Sequence, residues 1–505
     1  MVPRAPGPPE AEPLDLHVDV RPVPRGPRLV TDPQLSRARR GRASVSVSAP
    51  SVVGMEERWT AEQVLALAPD AASRKAAGKL SAPGPWSGTG TAVLADGAGT
   101  AVWGLCRGSG SKPYQTVVDL DAPAYKCSCP SRKFPCKHAL GLLVLWSAGA
   151  DAGVAPAEPP EWVAQWADGR RSRAEQKAVR AATGPADEAG ARRRAERRAR
   201  QMAEGAGELE RRLADQLRAG LAGADREGYG VWDEVAARMV DAKAPGLASR
   251  ARNLAVVPST GAGWPSRTLQ EFGLLHLLVK GLLAVDGLPE PLAATVRSRA
   301  GVPMDTADVL RVGESVRDLW VVLGQEDAQD SKLTTRRLWL QGTTTGRAAM
   351  VLSFGAAGRA PELTLPTGLS IDADLTYFPG ARPLRAAIGE RHGPPVASPV
   401  PHGVPVGQAL DRYAEALVED PWLDSWPTVL ADVVPIPGPE GWQLADASGD
   451  EALPVTARFG GAQGLWRLAA VSGGRPVTVF GECGHRGFTP HTVWGEAQDT
   501  RGVAL

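Results

Sequence analysis

The chain has 505 residues, enough for two to four domains, with 43% hydrophobic residues and a formal net charge of +1. That balance excludes a global field drawing the protein to nucleic acid or membrane, so a basic partner site must be local. Five cysteines, an odd number, argue against a disulfide scaffold, and no apolar run reaches the ~18 residues of a membrane span, so a reducing, cytoplasmic location is expected. Residues 1–54 hold ten prolines and eight arginines with few large apolar residues, and are expected to be a disordered tail without the apolar core of a secretory signal. They read either as a basic arm or as sequence upstream of the true start. Ordered pattern begins directly after Met55, which favours a start there.

Thr60-Ala61-Glu62-Gln63 is a capping box that opens a short helix to about residue 67. Asp70 can cap a second helix over residues 71–79, ended by Pro83-Gly84-Pro85. Residues 101–105 and 114–120 read as strands joined by glycine- and serine-rich turn residues. Thr116, Val118 and Leu120 alternate imperfectly with Gln115, Val117 and Asp119, so one face is buried and the other partly so. Cys106, near the end of the first strand, reads as a small core residue.

Four soft ligands then fall within twelve residues: Cys127, Cys129, Cys136 and His138, in the pattern C-x-C, six residues, C-x-H. Zinc takes four tetrahedral thiolate and imidazole ligands, and Cys₃His is a closed structural set. Ala124-Tyr125-Lys126 looks like a strand end, and strand residues two apart point the same way, so Cys127 and Cys129 can aim both sulfurs at one point. Pro130 stops the ladder, and Cys136 and His138 sit where a helix over residues 137–146 begins, a place that favours thiolate. Lys126, Arg132, Lys133 and Lys137 offset the negative charge of zinc with three thiolates. A redox cluster and an open catalytic zinc are the competing readings. The full ligand set, without an H-E-x-x-H or H-x-E motif, favours one structural Zn²⁺. The helix is apolar nearly all round, so Leu140, Leu143, Val144 and Trp146 should be buried against the hairpin rather than form a docking face.

Cys127-x-Cys129, six residues, Cys136-x-His138 and the apolar helix resemble the SWIM zinc finger, and residues 103–120 are similar to the β-hairpin that precedes it in bacterial members. The resemblance covers roughly residues 59–146. It implies DNA or protein binding. It also implies a genomic neighbourhood with MoxR-type ATPases and von Willebrand A proteins, for which such a chain would be a scaffold.

Residues 151–160 read as an Ala-, Pro- and Glu-rich linker. Residues 170–200 carry eleven basic and four acidic side chains, and six arginines, among them Arg192, Arg193, Arg194, Arg197 and Arg198, fall in residues 191–200. That run could bind nucleic-acid phosphates through counterion release, or be a solvated helical face or tether; it lacks the aromatics of single-strand stacking surfaces. Leu209, Leu213, Leu217 and Leu221 recur every four residues, and residues 232–242, 268–283 and 291–299 continue a helical region broken at 261–265. His276, without Cys or His nearby, is expected at the core or its edge. From residue 318 the period becomes two, with strands over 319–323, 337–341, 349–354, 362–365 and 374–378. A Pro-rich loop at 393–405 and a helix at 409–418 follow, then a β-meander over 454–459, 465–471 and 476–481.

Cys483-Gly484-His485 with His491 lacks a fourth soft ligand, and Asp446-Ala447-Ser448-Gly449-Asp450 fits a turn better than a calcium loop. No G-x-x-x-x-G-K-[ST] and no G-x-S-x-G occurs, so no catalytic residue or small-molecule substrate can be nominated, and an unrecognised C-terminal site is the one enzymatic alternative. The expected fold is α+β and multidomain: a tail (1–54), a zinc-bound β-hairpin/helix module (55–150, core 114–147), a basic linker (151–205), a helical domain (206–312) and a β-rich domain (313–505). The expected role is a non-enzymatic adaptor for nucleic acid or protein, away from membranes.

Overall fold

A computed structural model describes residues 58–505 except 95–98, 109, 122–123, 132, 134, 184–187, 222–229, 262, 330–332, 357–360, 362, 364, 439–440, 457–460 and 496–501. The proline- and arginine-rich tail and Arg132 lie outside the described residues.

The first region is a four-stranded antiparallel sheet in chain order, covered on both faces. Helix α1 (Ala61–Ala66) opens with the expected reciprocal cap: Gln63 N–H donates to Thr60 Oγ1 and Thr60 N–H to Gln63 Oε1. In α2 (Ala71–Gly78) the Ser73 N–H donates to Asp70. Strands β1 (Trp86–Val93), β2 (Thr100–Cys106), β3 (Tyr114–Asp119) and β4 (Ala124–Cys127) precede α3 (Lys137–Ser147). Val102, Cys106 and Val118 face α3, where Leu140 and Leu143 are fully buried. The opposite face, with Ala101, Trp103 and Val117, is covered by Val163 and Trp166 of α4 (Glu161–Thr183). Burial on both faces explains the imperfect alternation in β3. Strand β1, with three small or polar residues in Ser87-Gly88-Thr89, gives no strand signal in the sequence.

Residues 151–205, expected as a basic linker, are for the most part helical, through α4 and α5 (Glu188–Ala219). With α6 (Gly230–Asp241), α7 (Pro245–Val256), α8 (Trp264–Leu283), α9 (Glu290–Ala300) and α10 (Thr306–Val312), α5 builds the helical region. Its core gathers Met202, Leu209, Leu213, Trp232, Met239, Phe272 and Leu278. Leu217 is exposed and Leu221 half-buried against the core, so the four-residue leucine repeat is fully buried only at Leu209 and Leu213. Helix α7 gives little periodic signal because alanines form much of its buried face; Pro245 sits in its first turn. A Cβ on Gly246 would stand 2.1 Å from the Arg299 carbonyl oxygen, so only glycine allows α7 and α9 to meet this closely.

The C-terminal half forms two barrels. In the first, β5 (Ser315–Gln329), β6 (Leu333–Gly342) and β7 (Ala348–Ala356) make an antiparallel meander. Strand β8 (Leu369–Tyr377) pairs with β5, and β9 (Arg385–Arg391) runs antiparallel to β8 and parallel to β7, so the sheet closes on itself. Strand β10 (Val396–Ala397) extends the β8 edge. Helix α11 (Val406–Glu419) leads to the second barrel: β11 (Ser425–Gly438), β12 (Gly441–Asp446), β13 (Ala452–Pro454), α12 (Gly461–Ser472), β14 (Val477–Gly484), β15 (Gly487–Trp494) and β16 (Val503–Ala504). Here β11 pairs with β12 and β14, and β14 with β15. A parallel bridge from Val455, just after β13, to Phe488 of β15 closes the ring. The barrels meet through Val321, Leu323 and Trp339 of the first and Val429, Phe480 and Trp494 of the second.

Two expected strands are corrected. Residues 465–471 lie in α12, where Leu465 and Leu468 are buried and Trp466 is exposed, a spacing of three that belongs to a helix. Ser472-Gly473-Gly474-Arg475 therefore ends a helix, with Gly473 and Gly474 at positive φ and the Gly473 N–H returning to the Ala469 carbonyl. At 362–365 the described residues, 363 and 365, are outside strands, and Leu365 plugs the first barrel.

Candidate metal centre

The site forms where β4 ends and α3 begins. Thr116 of β3 pairs with Cys127, and Val117 with Lys126, which fixes the direction of the Cys127 side chain. Cys136 is the N-cap of α3, and its sulfur accepts the Ala139 N–H at 3.5 Å. His138 follows in the first turn and is buried, with the Tyr114 ring 4.9 Å away at a tilt. Cys127 Sγ lies 3.7 Å and Cys136 Sγ 4.0 Å from His138 Nδ1, and the four ligand atoms all lie within 4.8 Å of one another. A tetrahedron with zinc–ligand distances of about 2.0–2.3 Å spaces its corners about 3.5–3.8 Å apart, so the cluster needs only slight contraction to hold the ion.

The thiolate expected at the start of α3 is not favoured at Cys136, because its bond with Cys127 shifts the two thiols in opposite directions. The hydrogen bond from Cys136, with further bonds from His138 and Thr116 against the cost of burial, lowers the Cys127 thiol. The same bond, followed by burial, drives Cys136 up, and burial raises Cys129. Cys106 stays out of the set, buried in the core, with burial pushing its thiol to about 11. A closed Cys₃His set leaves no position for a reactive water. Cys127, Cys129, Cys136 and His138 together fit one structural zinc.

Sequence reasoning missed the support around the ligands. Thr116 Oγ1 contacts Cys127 Sγ at 3.2 Å, a partner that the β3–β4 register could have indicated. Asp70 caps α2 and also receives Lys133 Nζ at 2.6 Å, tying the loop between the ligand pairs to the helix. Of the expected partner contacts, Lys126 and Lys137 are exposed and Lys133 is in this ion pair. Arg192, Arg193, Arg194 and Arg197 are exposed and Arg198 half-buried, all on α5 rather than on the finger. His276 is exposed on α8 and joins no ligand cluster among the described residues. Cys483 is buried in the second barrel and His491 pairs with Glu482 at 3.2 Å, so they do not form a metal set. Asp446 accepts from Ser448, Gly449 and Asp450, the expected turn. Asp374, Glu390 and His392 make a second, more exposed group of ligand types that the sequence does not reveal.

Among the described residues no helix is long and apolar enough to cross a membrane. Comparison with curated proteins and with solved structures finds no match. Family models match residues 114–146 as a SWIM zinc finger, which covers all four ligands, and residues 197–300 as a SWIM-associated four-helix bundle domain, from within α5 through α9. The chain thus carries a segment similar to the SWIM zinc finger, followed by one similar to its associated helical domain, and both barrels lie outside these two matches.

Proposed function

We propose that the chain is a non-enzymatic adaptor that binds nucleic acid through its arginine-rich helix, with zinc holding the finger in shape. The observation that carries this is the state of residues 191–200. They are helical, six are arginine, and none is buried. Helical order places these cations on a rod rather than a loose tether, so less entropy is lost when they meet phosphates. Lys126 and Lys137 add exposed charge at the finger. The test is titration of the zinc-loaded chain with random DNA and RNA across salt. Micromolar affinity whose logarithm falls with log salt at a slope implying about five or more phosphate contacts supports this reading. No binding at low salt removes it.

A second reading rests on a different feature. Beside the zinc ligands a groove of about 580 Å³ is lined by Leu80 and Tyr114 with the cations Arg107 and Lys137, a mixture suited to an acidic or amphipathic peptide. In that case the finger docks proteins, and the chain is the scaffold of an ATPase system of the MoxR and von Willebrand A kind. Partners that co-purify with the parent chain and are lost on Tyr114→Ala would favour it.

A further inference from the structure

The two barrels have one topology. In each, a long first strand, β5 or β11, is bent at a bulge and pairs with the fourth strand along its N-terminal part and with the second along its C-terminal part. In each, the third strand or its immediate continuation runs parallel to the fifth. Each barrel is preceded by a helix, α10 or α11. A five-stranded Greek-key barrel with this pairing is the OB arrangement, here present twice in tandem. Topology alone assigns no ligand; the cleft between the barrels does.

That cleft, about 440 Å³, opens where the β6–β7 and β8–β9 loops of the first barrel face α11 and the start of β11. Three arginines line it from three separate segments: Arg347, Arg382 and Arg412. Arg347 lies over the Tyr377 ring at 4.1 Å and Arg382 over Trp426 at 5.1 Å, so an aromatic ring helps to hold each guanidinium in place. Arg382 gives one N–H to Glu419 at 3.3 Å. Arg347 and Arg412, both half-buried, are in no ion pair among the described residues. Glu415 and Glu419 also line the cleft, so the ligand must present hydrogen-bond donors beside its anion.

We propose that the inter-barrel cleft binds a phosphate group carried on a hydroxyl-rich body, the chemistry of a nucleotide. The phosphate is that of a free nucleotide or of a single strand threading the cleft. Three forked cations suit its oxygens, and the carboxylates suit sugar hydroxyls. The site is independent of the finger and of α5.

The test is calorimetric titration of the full, zinc-loaded chain with inorganic phosphate, with AMP and with a short oligothymidylate, each also on R347A, R412A and R347A/R412A. AMP should bind, inorganic phosphate should compete, and each arginine removed should weaken binding about tenfold or more. An oligothymidylate that needs both arginines while AMP fails to bind assigns the phosphate to a strand. No binding of any probe at millimolar concentration overturns the proposal, and so does binding unchanged in the double variant. Arg412→Gln changes only the surface of α11 and gives the same reading should the loop variants misfold. Neutralising the α5 arginines should leave AMP binding unchanged, which separates this site from the nucleic-acid reading above.

Discussion

Cys129 is the ligand least committed to packing. It is half-buried, whereas Cys136 caps a helix and Cys127 sits in a sheet. Cys129→Ser should therefore remove zinc without first removing core. Elemental analysis should show less than one zinc per chain. Hydrogen exchange should quicken across the finger and stay slow in the barrels, because a structural zinc supplies local folding energy. Asp70 makes a second residue-scale prediction. Its bond from Lys133, followed by the cap from Ser73, holds its carboxyl at about 2, below the ordinary 3.8. A lowered folded pKa means that the ionised form stabilises: the contribution is complete above the ordinary value and is lost as pH falls toward 2. Asp70→Ala should cost about 1 kcal/mol at neutral pH, most of it the helix cap, because an exposed ion pair adds little. Denaturant midpoints of parent and variant should converge on acidification.

The elements legible in the sequence are those fixed by local chemistry, and those missed depend on distant pairing. The Thr60–Gln63 box, the Asp70 cap and the C-x-C/C-x-H set each satisfy their own needs within a few residues, so the sequence reveals them. Strand β11 does not announce itself, because Pro427, Pro435 and Pro437 interrupt it. The bend explains how it survives. Residues 425–433 pair with β14 and 433–438 with β12, so over most of its length each half keeps an edge where a missing N–H costs nothing. Residues 465–471 are short and apolar, and only the burial of Leu465 and Leu468 with Trp466 left outside distinguishes helix from strand. At α5 the scale of prediction is the helix itself. If phosphates lie along it, replacing Arg193, Arg194 and Arg197 together by alanine should flatten the slope of log affinity against log salt by about 2–3. The helix should persist by circular dichroism, since alanine favours it.

At the scale of the molecule, the regions are joined by side chains that belong to one element and are buried in another. Leu369 of the first barrel packs in the finger's hydrophobic cluster, and Arg391 of β9 donates to the Asp121 carbonyl at 2.8 Å. Trp422, between α11 and β11, is buried in the helical core and donates its indole N–H to the Leu274 carbonyl at 2.9 Å. Beside it, Arg299 of α9 reaches Asp420 with two N–H groups, the shorter contact at 2.6 Å. None of these joints is visible in the sequence, since nothing near Trp422 or Leu369 distinguishes a joint from an ordinary core residue. Trp422→Ala should therefore act on two regions at once. It removes a large buried side chain, a loss of about 3–5 kcal/mol, and with it the second hydrogen bond that the Leu274 carbonyl accepts beside its helical one. If Trp422 is the joint, hydrogen exchange should quicken in α8 and in the segment leading into β11 together, and the thermal transition should split into a helical and a barrel step. Quickened exchange in α8 alone, with one cooperative transition, would reduce Trp422 to a core residue of the helical region and place the coupling in the Arg299–Asp420 pair.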